Sequence, residues 1–269
     1  MKEKTDVKYS FHVCLHKAGK IMIKITVSLA GVPVECRFRH RKNQEFLTEY
    51  ETGEPAAFAI EPGPAELADM AAKLRQEKGI PDEAEIPAWY IENTALHSMI
   101  AEELVRYDVL LVHGSAIAVD GDAYLFMASS GTGKSTHTRL WRELLQERAW
   151  MLNDDKPLLR LQDGLVLAYG TPWDGKHHLS RNASAPLKGI ARIKRSENNH
   201  IERLTVAEAF PIFYRHAFRT EDRERMQKIL SIEQSIIRAV PFYSLACNME
   251  PEAASLAFET MKNGGRTCG

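Results

Sequence analysis

Cysteine is scarce in this chain of 269 residues: Cys14, Cys36, Cys247 and Cys268 stand far apart, with no CxxC pair and no histidine at metal-ligand spacing. A disulfide framework or a zinc site therefore has little support, and incidental thiols in a reducing cytosol are the simpler expectation. Long apolar runs are also missing. No stretch approaches the ~18 residues of a membrane span, and the charged start Met1-Lys2-Glu3-Lys4-Thr5-Asp6 is not followed by a signal-like apolar segment. A cytoplasmic protein with no membrane partner is expected. Nor is there an excess of charge of one sign: 35 basic groups face 36 acidic ones, so nothing general points to nucleic acid as a partner. Internal repeats and low-complexity segments are absent too. What remains is 44% hydrophobic and 26% charged, the balance of a globular protein long enough to bury a substantial core unaided.

Two regions are expected, with a boundary near Asp108. In 1–107, residues from Tyr9 to Arg39 alternate like strands, most clearly Ile21–Val27 and Val32–Phe38. Thr48 to Pro64, polar and rich in Gly, Pro and Glu, reads as a loop. Ala65–Lys78 and Pro87–Tyr107 carry apolar residues at helical spacing. In 108–269, Val109–His113, Ala116–Val119 and Tyr124–Ala128 read as strands. Asp120-Gly121 and Asp163-Gly164 each sit between apolar runs, the pattern of a tight hairpin. Further strands are expected at Trp150–Leu152, Gly189–Ile193 and Phe242–Ala246, and helices at Arg223–Val240 and Glu252–Met261. Hairpins among strand–helix units predict an α/β fold with a mixed sheet, unlike the all-parallel sheet of alternating strands and helices.

The most informative stretch is Ala128-Ser129-Ser130-Gly131-Thr132-Gly133-Lys134-Ser135. It matches GxxxxGK[ST] except that Ala128 replaces the first glycine. An apolar strand precedes it and a helix with Leu140, Trp141, Leu144 and Leu145 at helical spacing follows. Such a loop presents backbone amides at a helix N-terminus to a phosphate, Lys134 reaching the β/γ-phosphates and Ser135 offering its hydroxyl to Mg²⁺. The expected nucleotide contacts are Ser130, Gly131, Thr132, Gly133, Lys134, Ser135 and Thr136. One helix further on, Asp154 and Asp155 end a strand. Phosphoryl transfer to a hydroxyl needs a metal held at the phosphates and a carboxylate to accept a proton, and two aspartates could divide those roles. Sequence does not say which takes which. The polar loop Gly170–Arg181 is dense in basic groups suited to stabilising a transferring phosphoryl group, Lys176 and Arg181 foremost and His177 next.

His113-Gly114-Ser115-Ala116, the loop Ser130–Ser135 and Asn153-Asp154-Asp155 together resemble, in order, the motifs of the HPr kinase and ATP-dependent phosphoenolpyruvate carboxykinase superfamily. The resemblance runs from about Leu111 to Ile193. It implies a mixed-sheet P-loop core, Mg²⁺ or Mn²⁺ dependence, and either phosphorylation of a serine hydroxyl or interconversion of oxaloacetate and phosphoenolpyruvate. It makes Lys134 and Ser135 the phosphate and metal contacts, places His113 near the γ-phosphate or metal, and makes Asp154 and Asp155 base and metal ligand. Carboxykinases carry a lysine-rich segment before the histidine motif. Here Val105–Val112 has no lysine, which favours the kinase branch. The expectation is an ATP- and Mg²⁺-dependent kinase acting on a hydroxyl of a small molecule, peptide or protein. A carboxykinase-like lyase and a non-catalytic nucleotide-binding regulator are the alternatives. Residues 1–107 are left with acceptor recognition or assembly, so a homo-oligomer stays open.

Overall fold

In the computed structural model, residues 14–15, 21–129 and 131–264 are described, and they form two compact units. The first comprises the described residues up to Ser28 with Pro33–Met99, and the second Leu29–Val32 with the described residues from Ile100.

The first unit is built on a four-stranded sheet of β1 (Cys14–Leu15), β2 (Ile21–Leu29), β3 (Val32–Phe38) and β4 (Phe58–Ile60), in that spatial order. Along β3, buried Val32, Val34, Cys36 and Phe38 alternate with half-buried Pro33, Glu35 and Arg37, the period-2 pattern of a sheet with one covered face. Helices α1 (Arg41–Leu47), α2 (Pro64–Lys78) and α3 (Ala88–Leu104) as far as Met99 accompany the sheet, the residues of α3 from Ile100 belonging to the second unit. The loop expected over 48–64 is partly regular. A 3₁₀ turn spans Thr48–Tyr50, and β4 pairs in parallel with Val34–Cys36, so hydrogen bonds from a distant strand override a Gly/Pro-rich context. The expected strand run from Tyr9 lies partly outside the described residues.

The second unit carries a nine-stranded mixed sheet. Its strands are β5 (Val109–Leu111), β6 (Ser115–Val119), β7 (Asp122–Met127), β8 (Ala149–Asn153), β9 (Leu158–Gln162), β10 (Leu165–Tyr169), β11 (Ser184–Arg195), β12 (His200–Arg203) and β13 (Phe242–Cys247). The path runs β5-β9-β10-β11-β7-β6-β8, and β13 joins β11 on one side and β12 on the other. Both Asp-Gly pairs make hairpins, β6–β7 and β9–β10. Asp120 and Gly121 (φ 53° and 90°) and Asp163 and Gly164 (φ 52° and 78°) take the left-handed backbone that such turns need. Among the described residues, the parallel pairs of this sheet are those of β11 with β7 and with β13.

Helices cover both faces. On one, α4 (Lys134–Leu145) and α7 (Pro251–Lys262) bury Leu140, Trp141, Phe258 and Met261 against Tyr124 and Phe126. On the other, α5 (Val206–His216) and α6 (Arg223–Ala239) bury Phe213, Ile229, Ile232 and Ile236 against Leu125 and Met127. The central strand β7 is thus apolar on both sides, and its C-terminal end delivers the chain into the glycine-rich loop. Among the described residues no helix is long and apolar enough to cross a membrane.

Candidate active site

Strand β7, the loop and α4 follow one another as the phosphate-binding pattern requires. Gly131 and Gly133 hold φ of 74° and 125°, a region that strains any residue with a Cβ, and Gly133 opens α4. Ala128 is buried and is not among the residues of positive φ, so this position makes no conformational demand for glycine. Its methyl instead packs with Tyr124, Phe126 and Trp141. The turn is tightened by Thr132 N–H donating to Ser129 O at 3.2 Å. The Arg195 guanidinium, at the end of β11, donates to the carbonyls of Gly131 and Thr132. Ser135 is exposed and Thr136 half-buried on the first turn of α4, whose leading amides have no partner in their own helix. Ser130 lies outside the described residues.

Lys134 does not point into solvent. Its Nζ donates to Ala128 O at 2.8 Å and stands 3.3 Å from His113 Nε2. His113 follows β5, and its other nitrogen, Nδ1, lies 3.1 Å from Asp155 Oδ1 and 2.8 Å from Lys156 Nζ. Lys156 in turn pairs with Asp155 Oδ2 at 3.0 Å. An ammonium can only donate and a carboxylate can only accept. Nδ1 therefore stands between an acceptor, Asp155, and a donor, Lys156, and can serve only one of them at a time, while Nε2 faces Lys134 Nζ.

Three short-range devices fix this cluster. Gly114 N–H donates to Asp155 O at 3.1 Å and Ser115 Oγ to Asp154 O at 2.9 Å, which ties the histidine segment to the aspartate segment. A Cβ on Gly114 would come within 2.9 Å of Phe126 O, so glycine is needed for this close approach to β7. Fully buried Asn153 accepts the backbone N–H groups of Asp155 and Lys156 at 2.9 and 2.7 Å, and its amide donates to Thr171. The turn bearing Asp155 and Lys156 is therefore held from its own strand end.

The two aspartates sit in different environments. Asp155 is half-buried, which alone would raise its pKa, but the hydrogen bond from His113 and the charge and hydrogen bond of Lys156 hold it well below the usual carboxylate range. Asp154 is pushed up, first by burial and then by Asp174 and Asp155, against the opposing hydrogen bond from Gly175 N–H at 2.5 Å. Burial likewise lowers Lys134, and Lys156 adds to this while Asp155 opposes it.

His216, the last residue of α5, completes the wall. Its ring lies parallel to His113 with centroids 6.2 Å apart, and its carbonyl accepts His113 N–H at 2.7 Å. Burial lowers its pKa to about 4, helped by the positive surroundings of His113, Lys134, Arg192 and Arg215. Lys134 and Lys156 thus stand beside one ionised carboxylate, with the charge of Arg192 felt at His216, a site with an excess of positive charge suited to an anion.

Sequence reasoning missed Lys156, Arg192 and His216. Lys156 directly follows the aspartate pair and so left a local signal, whereas Arg192 is one of four basic residues along β11 and did not stand out. His216 left none, because its position depends on α5. The Gly170–Arg181 loop approaches Asp154 through Gly175. Arg181 sets its guanidinium 5.0 Å over the Trp150 ring, and Lys176 and His177 are exposed.

Beside the loop, on its α4 side, a cavity of about 590 Å³ opens between the first turn of α4 and the ends of β11 and β13. Leu140, Ile193, Cys247 and Met249 line it together with Thr136 and Asn248. His137 also borders it, buried at 2% exposure, with its pKa lowered by burial to about 4. The folded state therefore refuses a proton that the unfolded chain accepts near pH 6.5, so stability falls as pH drops through that range. This histidine alone is expected to cost about 2 kcal/mol of unfolding free energy between pH 7 and pH 5. Urea unfolding at the two pH values checks it: the His137→Gln variant should lose about that much less than the unsubstituted protein, and an equal loss in both would refute it.

No family model matches the chain, and no curated protein matches it. Among solved structures the chain is similar to the HPr(Ser) kinase/phosphatase from Coxiella burnetii, at 10% identity and a TM-score of 0.33, over 58% of this chain and 95% of that one.

Proposed function

We propose that this protein is an ATP-dependent kinase that moves the γ-phosphate to a hydroxyl acceptor. The observation that carries the reading is the convergence of Lys134, His113 and Asp155 at the mouth of the glycine-rich loop. Three motifs distant in sequence meet within hydrogen-bonding distance, next to a cavity of the size that encloses a nucleoside. The triphosphate lies along the loop amides and the start of α4, with Lys134 released from Ala128 O to the β/γ-oxygens. Arg192 and Lys156 add positive charge where the transferring group carries its negative charge.

Asp155 faces the reacting end and accepts the hydrogen bond of the incoming hydroxyl, orienting its oxygen toward the γ-phosphorus. Its low pKa makes it a weak base. In a loose phosphoryl-transfer transition state little proton transfer is needed early, so position outweighs basicity. Asp154, turned to Gly175, holds the Gly170–Arg181 loop against the site. Mg²⁺, or Mn²⁺, is the implied metal, and the oxygen donors present fit it: an ionised Asp155 carboxylate and the Ser135 hydroxyl. Among the described residues no group of three His, Cys, Asp or Glu side chains could hold a metal alone, so phosphate oxygens complete the shell in this reading. When bound, the ion supplies neutralisation of charge on the β- and γ-oxygens.

The test is incubation with γ-labelled ATP and Mg²⁺ in the presence of serine-containing peptides and hydroxyl-bearing small molecules, with oxaloacetate as a parallel substrate. A phosphorylated hydroxyl is the expected product. Phosphoenolpyruvate formed from oxaloacetate, with no hydroxyl ester, would replace the kinase by a lyase. Tight ATP binding without product from any acceptor would favour a regulator.

A further inference from the structure

Arg195 is the last residue of β11, exposed, and set with Ile193 along the cavity beside the glycine-rich loop. Its guanidinium turns back over that loop. Nε donates to Thr132 O at 3.3 Å and Nη2 donates to Gly131 O, so one edge of a rigid planar fork takes two consecutive carbonyls. A trans peptide unit directs its C=O and its N–H to opposite sides. Holding Thr132 O toward Arg195 therefore turns the Gly133 N–H away from it. Holding Gly131 O does the same for the Thr132 N–H, which closes the turn onto Ser129 O at 3.2 Å. The residues on either side of Thr132 are glycines at φ 74° and 125°, and with no Cβ they let these two peptide planes rotate with little resistance. The guanidinium supplies the restraint that the glycines lack.

We propose that Arg195 is a positioning residue for phosphate binding: from outside the loop it holds the amides of the glycine turn in the arrangement that receives the phosphates of the nucleotide. The loop is then ordered before the ligand arrives, and binding does not bear the cost of ordering it. The inference rests on the nucleotide reading given above. Contact with the nucleoside is the rival role, since Arg195 also borders the cavity.

Titration calorimetry with ATP and with inorganic tripolyphosphate separates the two roles. Arg195→Ala should bind both ligands about tenfold more weakly, with the melting midpoint unchanged because the side chain is exposed. Arg195→Lys, whose ammonium can reach one of the carbonyls but lacks the fork, should lose only about threefold. In the ligand-free alanine variant the ¹⁵N order parameters of Thr132 and Gly133 should fall from about 0.85 toward about 0.6, and tripolyphosphate should restore them. A loss confined to ATP would assign Arg195 to the nucleoside and overturn the proposal, as would no loss for either ligand. Weaker binding of both ligands with unchanged order parameters would make Arg195 a direct phosphate contact instead. A melting midpoint that falls in both variants would make it a support of the fold. All of these outcomes leave the nucleotide reading in place, whereas failure of the unsubstituted protein to bind either ligand would overturn both. Should the alanine variant not fold, Arg195→Lys carries the same comparison.

Discussion

Replacing Lys134 with alanine is expected to weaken ATP binding about 100-fold and to reduce kcat/KM by about four orders of magnitude. The first figure follows from losing two charge-assisted hydrogen bonds to phosphate oxygens, together worth about 3 kcal/mol, at 1.4 kcal/mol per tenfold. The second adds the loss of a positive group where charge develops in the transition state, about 10²-fold in kcat. Stability should behave differently. In the free protein Lys134 lies beside Lys156, and burial together with that neighbour lowers its pKa, so the fold gains little from its charge. The bonds to Ala128 O and His113 Nε2 are lost, about 2 kcal/mol together, and the melting midpoint should fall by no more than about 8 °C. Calorimetric titration, steady-state kinetics and thermal unfolding measure the three quantities. An alanine variant that keeps its ATP affinity would remove the loop from nucleotide binding, and one that unfolds would mean that Lys134 serves the fold.

Elements whose chemistry is local were legible before the structure. The strand, loop and helix around Lys134 follow from an apolar run, glycines and a 3.6-residue period, and both Asp-Gly hairpins follow from the left-handed turns they must make. Those hairpins are also why a mixed sheet could be expected. Helix α5 was not seen because Pro211 interrupts it, although Thr205 and Glu208 form a capping box, a start signal readable in the sequence. Strand β12 has no apolar alternation at all. It exists because its backbone pairs with β13.

The candidate site divides in the same way. Residues that act through the adjacent backbone, such as Gly131, Gly133 and Lys134, carry their signal in spacing. His216 reaches His113 only because α5 ends there, and Arg192 stands opposite Met127, just before the glycine-rich loop, only because β11 pairs with β7 in parallel. In the polar loop rich in Lys, His and Arg, Arg181 lies over Trp150 and His178 pairs with Asp174, while Lys176 and His177 are exposed. Local density of charge says nothing about which way a loop faces.

The aspartate pair, indivisible in sequence, is split by its surroundings, and the split has a measurable consequence. Asp155→Asn is expected to lower kcat by about 10³-fold, the loss of a positioned carboxylate at the reacting hydroxyl and of its oxygen for the metal. Without added metal the same variant should bind ATP as well as the unsubstituted protein or better, because a negative charge facing the phosphates is gone. Asp154→Asn should cost less than about tenfold. Its carboxyl is already pushed toward the neutral form by burial, and an asparagine can keep accepting Gly175 N–H through its side-chain oxygen. Neither change should unfold the protein, since Asn153 continues to hold the turn through the backbone N–H groups of Asp155 and Lys156. Rates of transfer from labelled ATP, with metal-free affinities measured beside them, distinguish the cases. Equal losses in the two variants would return the pair to a shared role. A large loss confined to Asp154→Asn would move the base to the buried carboxylate, where the raised pKa would then have a catalytic purpose.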